Sequence, residues 1–167
     1  MGLIKTPPPG KDDVEEAVAR YGAEMYGLAV AITGNVHDAE DAYQSAWSNA
    51  LGHWEQLRDI SKRRSWLTST VARSAMQVRR RRAFSNRWHV TLSEAPDLST
   101  VMRWDPGLGS AIAHLSARQR AVITLHFGHG FTLDEVAAIL GCRGRTVRSH
   151  LARALATLRV RLGDERA

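Results

Sequence analysis

The chain has 167 residues, 44% of them hydrophobic, which supplies a packed core for one domain or two small ones. No apolar run approaches the ~18 residues of a membrane span and no secretory signal is visible, so neither membrane insertion nor export is expected. The formal net charge of +6 is unevenly placed: residues 1–60 hold 4 Lys/Arg against 10 Asp/Glu, a net of −6, and residues 61–167 hold 19 against 7, a net of +12. An acidic first part and a basic remainder point to two partners of opposite character, the basic one suited to a nucleic-acid backbone.

Residues 1–11, with three consecutive prolines, read as a disordered arm. Gly2 and Thr6 fit a myristoylation pattern that nothing else in the chain supports. Helical periodicity begins near Asp12, with Val14, Val18, Tyr21, Met25, Leu28 and Ile32 on one face. Thr33-Gly-Asn35 ends that helix, and Asn35 is placed to cap the next, with Asp38 in its first turn. The second helix, about 36–54, is expected to bury Tyr43, Trp47, Ala50, Leu51 and Trp54 and to expose Asp38, Asp41, Gln44, Ser45 and Ser48. A polar segment, 55–64, follows. A third helix over 65–82 turns Leu67, Val71, Ala75 and Val78 inward and ends in four arginines, which cover all sides of a helix and so cannot all meet one phosphate backbone.

Periodicity lapses over 83–106, which contains Pro96, Pro106, Trp88 and Trp104; a stretch of this length is functional or flexible. Ser116 with Gln119 is a capping box opening a helix that bears Ala121, Val122 and Leu125. Thr132 with Glu135 is a second capping box, Val136, Ala137 and Leu140 form an apolar face, and Gly141 supplies a turn residue tolerant of positive φ. The last helix buries Val147, Leu151, Leu155 and Leu158 and directs Arg145, Ser149 and Arg153 away, with Arg148 on the flank. Two helices so joined, the second carrying an arginine-rich face, form a helix-turn-helix that reads the major groove. Arg145, Thr146, Arg148, Ser149 and Arg153 are the candidate DNA contacts.

The expected fold is all-α: an arm at 1–11, a helical bundle at 12–84, a flexible linker at 85–106 and a helix-turn-helix domain at 107–163. His126, His129, Cys142 and His150 lack a CxxC or a second ligand pair, so no metal site and no cofactor is expected. No nucleophile triad, phosphate loop or paired carboxylates stand out, so the chain reads as a non-enzyme. The lone Cys142 excludes an internal disulfide and suits a cytoplasmic location.

Three passages in this order resemble the extracytoplasmic-function (ECF) group of bacterial RNA polymerase sigma factors. Asp38-Ala-Glu-Asp-Ala-Tyr-Gln44 resembles that family's acidic core-binding helix, Ser65-Trp-Leu-Thr-Ser-Thr-Val-Ala-Arg73 with residues 79–82 its Trp-Leu, arginine-rich helix, and Leu115-Ser-Ala-Arg-Gln-Arg120 with residues 132–158 its sigma-four domain. The resemblance implies a sigma-two-like bundle, a sigma-four-like domain and a function in promoter recognition, promoter melting and transcription initiation. It assigns Asp38, Asp41 and Gln44 to core RNA polymerase. It assigns Arg58, Lys62, Arg63, Arg64, Arg73, Gln77 and Arg80 to the minus-ten region of promoter DNA, with a pocket for a flipped base in segment 55–64. It assigns the helix-turn-helix to the minus-thirty-five element, and an anti-sigma factor to the list of expected partners. Arg143 and Arg145 depart from the family's common Pro and Gly, which adds charge on the DNA side. The alternative is an autonomous helix-turn-helix repressor or activator, and a recombinase-like enzyme is a third class without a visible nucleophile.

Overall fold

A computed structural model describes residues 10–85 and 105–164, and all regular structure within them is helical. The order is α1 (Lys11–Thr33), α2 (Val36–Gly52), α3 (Trp54–Leu57), α4 (Ile60–Ser85), α5 (Pro106–Ala113), α6 (Ala117–Ile123), a π-helical turn (Thr124–Gly128), α7 (Leu133–Leu140) and α8 (Gly144–Asp164). Gly2, Thr6, Trp88, Pro96 and Trp104, on which expectations were placed above, lie outside the described residues.

The local signals explain most boundaries. Gly34, at φ 78°, stops α1 and donates its N–H to Val30 O at 2.8 Å. Asn35, in extended backbone, caps α2 by accepting from Asp38 N at 2.8 Å. Both capping boxes form: Ser116 Oγ accepts from Gln119 N, and Thr132 Oγ1 from Glu135 N, with the acidic or amide side chain reaching back each time. Gly141 takes φ 62° between α7 and α8.

Segment 55–64 differs from expectation. Beyond being polar, most of it is helical, belonging to α3 and to the start of α4, five residues earlier than the periodicity predicts. Asp59 supplies the missed cue, because its Oδ1 accepts from Ser61 N at 3.0 Å and from Ser61 Oγ at 2.6 Å, capping the first turn of α4.

The first helices pack as a bundle of α1, α2 and α4. Ala39, Ala42, Ala46 and Ala50 form a fully buried small-residue stripe on α2 that lets α4 approach closely. The buried face of α2 is therefore rotated from the expected one: Leu51 is 45% exposed and Tyr43 is only half-buried. Val18 on α1 is also exposed, while Met25, Leu28, Ile32, Leu57, Leu67, Val71 and Ala75 fill the centre. In the second bundle, α5, α6 and α7 pack on α8, with Leu125, Val136, Ala137, Leu140, Val147, Ala154 and Leu158 buried. Leu151 and Leu155 lie half-buried at its edge, and Ala154 takes the central place between them.

The two bundles touch. α1 packs against α6 and the π-helical turn, and α4 packs against α7. Arg120 of α6 donates from Nε to Ala31 O at 2.7 Å, across 89 residues of sequence.

Candidate nucleic-acid interface

α8 presents Arg145, Thr146, Arg148, Ser149 and Arg153 to solvent, all exposed, while Val147 is completely buried beneath them. That arrangement follows from the helical period: one residue in each turn is spent on the core and the arginines between are free to reach outward. Arg148 Nη2 lies 3.5 Å from Asp134 Oδ1 of α7, with both side chains largely exposed, a surface pair that a phosphate or base edge can displace. His150, half-buried on the same helix, has its pKa lowered by burial and by Arg118 and Arg153.

α4 carries the second candidate surface. Lys62, Arg73, Gln77 and Arg80 are exposed, as is Arg58 just before the helix. Arg58 pairs with Glu55 at 3.6 Å and Lys62 with Asp59 at 3.4 Å, both in solvent. Arg63 is turned inward instead. It is buried, donates from Nε to Leu57 O at 2.9 Å and lies 5.7 Å over the Trp54 ring, so it holds α3 to α4 and is withdrawn from the DNA-facing set. Arg64 is engaged by the Glu24 carboxylate on α1 through Nε at 3.2 Å and through Nη2.

The arginine run at 79–82 divides in two. Arg79 donates to Thr33 O at the end of α1, and its pKa is lowered by burial, opposed by Asp38 and reinforced by Arg82. Arg82 pairs with Asp38. Arg80 and Arg81 remain exposed. Consecutive residues are 100° apart around a helix, so two face inward and two outward.

An open concavity of about 780 Å³ lies along α4 and the end of α2, lined among others by Asn49, His53, Lys62, Trp66, Arg73 and Gln77. The His53 and Trp66 rings sit 6.2 Å apart within it. Trp66 is half-buried, and Asn49 and His53 join it only when α2 and α4 are laid side by side. An adjoining concavity of about 680 Å³ is lined by His37, Asp41, Gln44, Ser48 and Arg81 and shares Ser74 and Gln77 with the first.

Asp41 and Gln44 are exposed there, but Asp38 is buried. Its Oδ2 accepts from Asn35 Nδ2 at 2.8 Å and its other oxygen takes the Arg82 guanidinium. The α5, α8 and π-turn surfaces enclose a further, apolar groove lined by Leu108, Ile112, Phe127, Leu155 and Leu162. Among the described residues no three His, Cys, Asp or Glu side chains converge as a metal site, and no helix is long and apolar enough to cross a membrane.

Two helical bundles, one with a polar groove along a basic helix and one with an exposed arginine face after a capped turn, are the arrangement of a sigma factor. Residues 17–84 match the family model Sigma-70 region 2, and residues 107–158 match Sigma-70 region 4. The ECF RNA polymerase sigma factor SigL of Mycobacterium tuberculosis is 31% identical over 151 residues, covering 86% of this chain and 85% of the relative. RNA polymerase sigma factor SigV of Bacillus subtilis is 29% identical over 152 residues, covering 89% and 90%. The fold is similar to that of the sigma factor RpoE from Bartonella quintana, solved in complex with the anti-sigma factor NepR, with a TM-score of 0.64 at 23% identity over 91% of this chain and 98% of that one. It is also similar to the Mycobacterium tuberculosis extracytoplasmic function sigma factor SigJ, with a TM-score of 0.59 at 25% identity, covering 87% of this chain and 52% of that one. The chain belongs to the ECF RNA polymerase sigma factors. It is a transcription-initiation factor that acts with core RNA polymerase on promoter DNA, and the autonomous regulator is set aside.

Proposed function

We propose that the labour is divided between the two bundles, residues 12–84 engaging core polymerase and the minus-ten element and residues 107–163 the minus-thirty-five element. Arg145, Thr146, Arg148, Ser149 and Arg153 meet the upstream duplex, with bidentate arginines reading guanine and Ser149 a base edge or phosphate. Arg58, Lys62, Arg73, Gln77 and Arg80 hold the melted minus-ten strand, with Arg64 beside them when Glu24 releases it. The flipped base is received in the α2–α4 concavity rather than by segment 55–64 alone. A shaped, half-apolar wall with Trp66 and His53 offers a stacking face, and the surrounding hydroxyls and amides offer hydrogen bonds. Asp41 and Gln44 meet basic and polar groups on polymerase, with Asp38 acting behind them as a brace.

The single observation that carries this reading is the continuity of the two concavities through Ser74 and Gln77, which puts the acidic α2 face and the basic α4 face on one surface. A strand held on α4 is thereby presented beside the polymerase-binding helix. Catalysis resides in polymerase, and this chain contributes none. The setting is the cytoplasm, where polymerase works, and an anti-sigma factor is the expected negative partner, as in the Bartonella quintana complex. The test is run-off transcription with purified core polymerase together with permanganate footprinting. Trp66→Ala is expected to keep upstream protection and lose reactive thymines near the start site. Normal melting by that variant would move base capture elsewhere on α4.

A further inference from the structure

Two neighbouring carboxylates open α7 and do different things. Glu135 is committed to the cap, its Oε2 accepting from Thr132 N and from Thr132 Oγ1, both at 2.8 Å. The Asp134 side chain is 83% exposed and turns to the next helix, where its Oδ1 lies 3.5 Å from Arg148 Nη2. Of the three arginines on the free face of α8, Arg148 is the one with a carboxylate beside it among the described residues; Arg145 and Arg153 have none.

Gly144, the first residue of α8, makes room for the pair. A Cβ there would stand 3.2 Å from Asp134 Oδ1 and 3.3 Å from Arg148 Nη1. Side chains on a helix lean back toward its N-terminus, so Arg148, one turn further on, lies over that bare residue. The turn it covers is the N-terminal one, the part of a recognition helix that meets base edges.

An exposed pair of this kind adds little to stability, so folding does not account for it. Its effect is on direction. The pair is weak enough to be displaced, but a guanine need not displace it. A guanidinium holds five N–H donors in one plane, and a carboxylate on one terminal nitrogen leaves the others for guanine O6 and N7. A side chain already held in place loses less freedom on binding. DNA closing over the pair removes water and strengthens it. The same carboxylate repels a phosphate, so it disfavours the sequence-independent contact that a free arginine would make.

We propose that Asp134 is a positioning residue for promoter reading: it holds the Arg148 guanidinium over Gly144 and turns a general phosphate-binding cation into a reader of one guanine. This rests on the assignment of Arg148 to the upstream duplex made above. The test binds holoenzyme, reconstituted from core polymerase and the full chain, to duplexes randomised across the upstream element, and sequences the bound fraction. The unmutated protein is expected to enrich guanine at one position, and Arg148→Ala to lose that enrichment. Asp134→Ala is expected to cut it roughly three- to tenfold, within the range of one bidentate contact, with other positions unchanged and affinity for a duplex of unrelated sequence equal or higher. Gly144→Ala is expected to lower the same enrichment because its Cβ crowds both partners, while thermal melting holds or rises, since alanine suits a helix better than glycine. A purely structural Asp134, placed for the helix dipole at the start of α7, would instead lower melting and weaken every position alike. That result, or guanine enrichment kept by Asp134→Ala, would overturn the positioning role alone. Enrichment untouched by Arg148→Ala would refute the base-reading assignment itself, and the positioning role with it.

Discussion

Asp38, Asp41 and Gln44 share one helix and one expected role, but the structure separates them. The Asp38 side chain is 6% exposed, accepts from Asn35 Nδ2 at 2.8 Å and pairs with Arg82, whose side chain is 36% exposed. Asp38→Ala removes a charged hydrogen bond and a second one to an amide. Arg82 can turn partly to water, which limits the loss, so the expected destabilisation is about 2–3 kcal/mol. For a chain of this size that lowers Tm by roughly 5–10 °C. Asp41→Ala and Gln44→Ala remove exposed groups and should leave stability within about 0.5 kcal/mol. Each should weaken core polymerase binding by about 1–2 kcal/mol. Differential scanning calorimetry read beside holoenzyme titrations separates the two effects. If Asp38→Ala melted with the wild type and lost polymerase affinity as Asp41→Ala does, the brace would be refuted and Asp38 would be a contact after all.

Arg148→Ala and Arg153→Ala should each weaken upstream promoter binding by about 1–3 kcal/mol in gel shifts, with core binding intact. Arg63→Ala should behave differently from Lys62→Ala or Arg73→Ala: it loses the Leu57 carbonyl bond and the Trp54 contact, so thermal melting falls while the salt dependence of DNA binding stays the same. The contact between the bundles should weaken as pH falls. Burial first, then Arg64, hold the His129 pKa below the ordinary imidazole value of about 6.5, and Glu24 opposes them. The folded form thus favours neutral imidazole, and its contribution is fully present above that ordinary value and is lost as pH falls through the lowered one. Thermal stability should fall reversibly between about pH 7 and pH 5, and His129→Phe should flatten the response if the imidazole is its source.

Where function was written as periodicity and caps, the sequence was enough to place it. Thr132, Glu135, Gly141 and Val147 determine the helix-turn-helix from residues within a single stretch, and the arginines on its free face follow from the helical period. The surface proposed to capture a base was harder to read because it is assembled from two helices. His53 ends one and Trp66 begins the exposed side of another, and neither is unusual until α2 and α4 pack. The helical character of segment 55–64 was missed because its polarity was weighed above the Asp59 cap. The burial of Arg63 was not visible at all: its partners are a backbone carbonyl and a ring presented by α3.

The basic run of the chain was read as a DNA footprint, and the structure reassigns part of it to internal duties. Arg63, Arg64, Arg79, Arg82 and Arg120 are each engaged by a carbonyl or carboxylate of this chain. Arg79 and Arg120 divide the end of α1 between them, and Arg64 and His129 share Glu24. The two pairs are equivalent in kind: one member belongs to the first bundle and the other to the second. That division of contacts follows from the choice of arginine, whose five donors can serve two bundles at once. A lysine at position 120 could not divide its contacts in that fork geometry. Arg120→Lys should therefore loosen the contact between the bundles while leaving the second bundle folded.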